Sequence, residues 1–77
     1  MASEAQLPLA IVGPNETARV ARVRGDADLR QHLAELGFVE GSSVKVVSRA
    51  AGDVIVSVKG ARLALNRSMA SRITVVL

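Results

Sequence analysis

The 77-residue chain has no cysteine, tryptophan or tyrosine, and it has one phenylalanine and two prolines. Without thiols there can be no disulfide framework, thiolate zinc site, iron–sulfur cluster or thiol chemistry, and the composition suits a reducing cytosol. A single aromatic leaves no stacking platform of the kind on which single-stranded nucleic acid is held. No stretch approaches the ~20 apolar residues that span a bilayer. The N-terminal stretch lacks a basic start, and its apolar segment is interrupted by Pro8 and closed by Gly13-Pro14, so it does not read as a signal peptide.

What is there is aliphatic and mildly basic. Hydrophobic residues make up 49% of the chain, enough for one small core and one domain. Ten Lys and Arg face seven Asp and Glu, a net charge of +3, and eight of the ten cations are Arg. Guanidinium favours bidentate contact with carboxylate or phosphate over diffuse attraction. The modest net charge and the interspersed acids speak against nucleic acid as the main partner.

Hydrophobic periodicity predicts a mostly β domain over residues 7–77 behind a frayed terminus, residues 1–6. Leu7–Val12 reads as a short strand confined to an edge by Pro8. In Thr17–Arg24 the apolar phase slips, because Ala18 and Val20 alternate but Val23 follows three residues later. A bulge at Ala21-Arg22 restores the alternation and turns Arg19, Arg22 and Arg24 to one outer side. A helix follows, with Asp28 as expected N-cap, Gln31 in capping-box position and Leu29, Leu33 and Leu36 as its apolar stripe. Gly37 stops it, with Phe38 or Val39 folding back on the last turn.

Beyond Gly41, Ser43–Arg49 alternates with Val44 and Val46 inward and Lys45, Val47 and Arg49 outward. Ala50–Asp53 is a loop, Val54, Val56 and Val58 face the core, and a Gly60-Ala61 turn of the Gly-X type leads back to Leu63 and Leu65. One helical turn from Asn66 to Ser71 precedes a last strand, Ile73–Leu77. The sum is a small β-barrel or mixed sheet with one inserted helix and a short helical turn.

Little chemistry is on offer. His32 is the sole histidine, with Asp28 and Glu35 four and three residues away on the same helix, which is enough for a weak surface metal site at most. Ser68 and Ser71 have no histidine nearby in sequence and no nucleophile elbow. No glycine-rich phosphate loop occurs. These absences predict no enzyme, no cofactor and no tight metal site.

The run LAELGFVEGSSVKVVSRA, continued by DVIVSVKGARLALNRSMASRITV, resembles the FeoA family of bacterial ferrous iron uptake, and ETARVARVRG is similar to that family's second strand. The likeness extends from Leu7 to Leu77. Its carriers are Leu36-Gly37-Phe38, Glu40-Gly41, the valine strands and Ile73-Thr74-Val75. Ala50–Asp53 is shorter than the loop many members have after the third strand. The resemblance implies an SH3-like β-barrel that acts in the cytoplasm at the inner face of the membrane through one partner, the GTPase-permease FeoB. On that reading the contact falls on Phe38, Val39 and Glu40, with Arg19, Arg22 and Arg24 as an electrostatic aid, and the barrel is monomeric or weakly self-associating. The alternative is a small basic nucleic-acid-binding barrel, or a stand-alone relative of the SH3-like domain of iron-dependent repressors, which the pattern also resembles.

Overall fold

The computed structural model describes residues 5–77. Of the terminus expected to fray, residues 1–4 lie outside the described part, while Gln6 is paired with Val76. Six strands form one antiparallel sheet in the order β1-β6-β2-β3-β4-β5. They are β1 (Gln6–Pro8), β2 (Thr17–Val23), β3 (Ser43–Ala50), β4 (Asp53–Val58), β5 (Ala61–Leu65) and β6 (Ile73–Val76). Two helices, α1 (Ala27–Glu35) and α2 (Arg67–Ser71), interrupt the strands. The inward side chains of every strand except the short edge strand β1 join one buried cluster that includes Val20, Val44, Val56, Leu65 and Val75. Leu7 of β1 packs against it from partial exposure. The sheet thus wraps a single interior that is aliphatic apart from Phe38.

The expected strand Leu7–Val12 is corrected. Extended pairing stops at Pro8, and Leu9–Ile11 forms a 3-10 turn with Val12 N–H donating to the Leu9 carbonyl at 3.2 Å. Both Leu9 and Val12 are buried. A spacing of three brings both to one side in a 3-10 turn, whereas strict alternation would put them on opposite faces.

The cap of α1 is also corrected. Asp26, not Asp28, is the N-cap, its carboxylate accepting from Leu29 N–H at 2.8 Å. Asp28 sits in the first turn, where the helix dipole favours a negative charge. The capping box does not form, because the third helical residue counted from Asp26 is Leu29. Gln31 donates instead to Glu35 at 3.5 Å. The other end behaves as the sequence suggests: Phe38 N–H reaches the Leu33 carbonyl and Gly37 N–H the Ala34 carbonyl, each at 3.0 Å. That pair of bonds is a Schellman cap. Gly37 has a φ of 111°, and an added Cβ would lie 2.8 Å from Lys59 Cγ, so the helix end is seated directly on the β4–β5 turn.

Both hairpins of the β3–β4–β5 meander close with two residues at positive φ, Ala51-Gly52 and Lys59-Gly60. These are type I′ turns, whose twist matches the flanking strands. The second turn therefore lies one residue earlier than the Gly60-Ala61 expectation.

Candidate functional site

Two register breaks decide where the arginines go. In β2 the break lies between Val20 and Arg22, at the expected place, with Ala21 as the extra residue. Arg19 pairs with Val76 and Arg22 with Thr74, while Val20 and Val23 pair with the buried Val75 and Ile73. Directly paired residues share a sheet face. Arg19 and Arg22 are therefore both outward. Arg24 N–H donates to the Arg72 carbonyl at 2.8 Å, which continues the ribbon one step further.

The break in β3, between Val46 and Ser48, was not legible in the sequence. It pairs Ser48 with Ile55 and Arg49 with the buried Val54, so Arg49 lies on the core side of the sheet, not outward with Lys45. From the rim of the barrel its guanidinium donates to the Val12 carbonyl at 2.7 Å. Arg49 ties β3 to the segment that leads into β2.

The corner expected to meet a partner is split by burial. Phe38 is 1% exposed and belongs to the core, which corrects its assignment to the surface. Its neighbour Val39 is 40% exposed, and Glu40 is exposed as well. The corner is held rigidly. Ser42 N–H donates to the Val39 carbonyl at 2.9 Å, Gly41 N–H to the Val20 carbonyl at 2.8 Å, and Val20 N–H to the Ser42 carbonyl at 2.9 Å. An apolar and an acidic side chain are thus presented on a backbone that is locked to β2. On the far side of the same junction Arg19 pairs with Ser43.

Among the described residues, concavities lie beside each group of arginines. One of about 320 Å³ lies on the outer face of β1, β6 and β2, lined by Arg22, Arg24, Thr74, Ser71, Gln6 and their neighbours. Another, about 190 Å³, is bounded by Arg49, Arg67, Asp53 and the β3–β4 turn. A third, about 210 Å³, adjoins Arg19 and Ser43. The structure therefore brings Arg22 and Arg24 together and sets Arg19 beside the next hollow. His32 is exposed on α1. Among the described residues no three side chains of His, Asp or Glu gather as a metal site, and no helix is long and apolar enough to cross a membrane.

Comparison with known proteins places this geometry. The FeoA domain profile matches residues 7–77. A protein of Methanocaldococcus jannaschii named Fe(2+) transport protein A is 34% identical over 68 residues, 88% of this chain and 83% of its own length. The FeoA of Stenotrophomonas maltophilia, solved in complex with zinc and described as an SH3 domain protein, superposes with a TM-score of 0.79 at 29% identity. It covers 90% of this chain and 88% of that one. A manganese-dependent transcriptional repressor superposes with a TM-score of 0.85 at 26% identity over 97% of this chain, but over only 43% of the repressor.

Proposed function

The chain belongs to the FeoA family of ferrous iron transport accessory proteins, and from that premise we propose that it works by docking on the cytosolic part of the permease FeoB. The barrel is SH3-like, and the reading gives it no reaction of its own. Its task is to bind, and through binding to assemble or regulate the transporter at the inner face of the membrane.

The observation that supports this reading is the locked corner Val39-Glu40-Gly41. Docking costs less when the contact residues are already ordered, because less conformational entropy is lost at the interface. Val39 offers the apolar contact and Glu40 a charge that fixes orientation. Arg19 and Arg22 on the outer face of β2, with Arg24 one step past its end, supply the electrostatic part. Each basic side chain near an anionic leaflet contributes about 1 kcal/mol, so three give about 3 kcal/mol of attraction that screening by salt reduces.

Calorimetry of the 77-residue protein against the permease's cytosolic domain tests the corner. Val39→Asp should weaken binding by at least about tenfold, the cost of placing a charge in an apolar contact. Unchanged affinity would remove the corner from the interface. Arg19→Ser, Arg22→Ser and Arg24→Ser together should weaken association with the full permease in anionic membranes far more than with its soluble domain. Equal loss in both settings would make the arginines direct protein contacts. The likeness to part of a repressor supplies the competing reading, and salt-steep retention on a nucleic-acid column without permease binding would favour it.

A further inference from the structure

We propose that the concavity on the outer face of the β1–β6–β2 ribbon is a binding site for a phosphate-type oxyanion, built from Arg22, Arg24 and Thr74. The register makes the case. Pro8, Thr74 and Arg22 stand in one row across three strands, since Pro8 pairs with Thr74 and Thr74 with Arg22. Arg24 follows one step along the ribbon and lines the same hollow of about 320 Å³. The bulge at Ala21 is what makes this possible. Without an extra residue after Val20, the run Val20-Ala21-Arg22-Val23-Arg24 would turn both arginines towards the core.

The chemistry of the lining is one-sided. Among the described residues no carboxylate borders the hollow. Among the described residues neither the Arg22 nor the Arg24 side chain makes a hydrogen bond or an ion pair, so both forks are available. Thr74 sits between the strands with a hydroxyl donor, and the Gln6 amide adds another at the rim. Ser71 already donates its proton to the Arg67 carbonyl at 2.8 Å. It therefore offers only lone pairs, which suits it to steady a guanidinium and not to bind the anion. Two planar forks and a hydroxyl match a tetrahedral oxyanion that accepts several bonds at once. Pro8 forms an apolar lip able to take the carbon side of a phosphate ester.

The second arginine hollow shows what a site is not. There Asp53 stands beside Arg49 and Arg67, and Arg49 is already committed to the Val12 carbonyl. Its charge is partly cancelled and its geometry is used in the fold.

Phosphate of this kind comes either as a soluble monoester or as a lipid headgroup, and two assays separate the sources without involving the permease. In the first, the amide spectrum of the protein is followed during titration with inorganic phosphate or glycerol 3-phosphate, against chloride at equal ionic strength. Saturable shifts confined to Arg22, Arg24, Thr74 and their neighbours are expected. In the second, the protein is sedimented with phosphatidic acid vesicles and with neutral phosphatidylcholine vesicles. Binding to the former alone would assign the headgroup as ligand, and soluble phosphate binding without vesicle binding would assign the soluble ester.

Arg22→Lys with Arg24→Lys keeps the charge but removes the forks, and should weaken either mode by about tenfold. Lys45→Ser with Arg62→Ser removes two charges elsewhere on the sheet and should leave binding within about twofold of wild type at moderate salt. Absence of saturation in both assays, or equal binding by the lysine variant, would overturn the site.

Discussion

The barrel takes in one extra residue at two places, Ala21 in β2 and Val47 in β3, and the arginines beyond them meet opposite fates. Past Ala21, Arg22 and Arg24 are held outward over a hollow, and their side chains have no partner among the described residues. Past Val47, Arg49 lies on the core side and is bonded across the rim to the Val12 carbonyl. One backbone device thus makes a strap in one strand and an outward arginine pair in the other. The difference lies in what the bulge does to the alternation. In β2 it rescues an inward set that would otherwise be lost, and in β3 it moves a charged side chain from the solvent face to the interior face, where only the rim can accommodate it.

Leu33→Ala sets the scale against which both arginine groups are read, because Leu33 is 0% exposed and is the one buried side chain of α1. Its loss should cost about 2 to 5 kcal/mol by transfer and cavity terms. That is a large part of the about 5 to 15 kcal/mol a small domain has, so the variant should be partly unfolded. A thermal midpoint within a few degrees of wild type would mean that α1 is not docked through this residue.

Arg49→Met comes next and separates strap from face. It removes a charge-assisted bond while keeping much of the stem's bulk, and should cost about 1 to 2 kcal/mol, reduced from the usual range because the guanidinium is partly solvated. The midpoint should fall by about 4 to 8 °C per kcal/mol for a domain of this size. An unchanged melt would make Arg49 as idle structurally as Arg22.

Arg22→Ser with Arg24→Ser should then shift stability by no more than about 0.5 kcal/mol, since neither side chain has a partner to lose among the described residues. A drop as large as that of Arg49→Met would erase the distinction between the two bulges. Smallest of all is His32→Ala, an exposed change expected to leave the melt unaltered. Calorimetric titration of the wild-type monomer with ferrous iron or zinc should show no one-to-one site tighter than about 1 µM. A site of that strength that vanishes in His32→Ala would show that the helix carboxylates suffice as co-ligands.

The same two bulges show how far the sequence could be read. The slip at Ala21 is visible because an apolar residue arrives one position late, at Val23 after Val20. The slip at Val47 is invisible because valine stands at 44, 46 and 47, so either register shows an apolar inward residue and only the pairing with β4 decides. Phe38 is similar in kind. A hydrophobic residue after a helix-ending glycine fits a cap contact in the core and an exposed anchor equally well, and which applies depends on how α1 sits on the β4–β5 turn. Asp26 and Asp28 both satisfy the composition of a cap, and the choice fell to the one whose carboxylate meets the N–H three residues on. Local periodicity gave the valine strands and the aliphatic stripe of α1. The slip also showed the outward arginines, but the hollow they border needed the partner strand β6, fifty residues away in the chain at its closest pairing, Val23 with Ile73.

That separation also bears on the order of assembly. The β3–β4–β5 meander joins neighbours through two-residue turns and pays little loop-closure entropy, whereas β6 must find β1 and β2 across most of the chain. In refolding followed by pulsed hydrogen exchange, amides of Val56 and Val58 should gain protection before those of Ile73 and Val75. The arginine hollow spans β1, β6 and β2, so it comes into existence only at that last closure. An anion bound there has nothing to hold in a half-folded chain. Occupancy should therefore slow unfolding and leave the early refolding phase untouched.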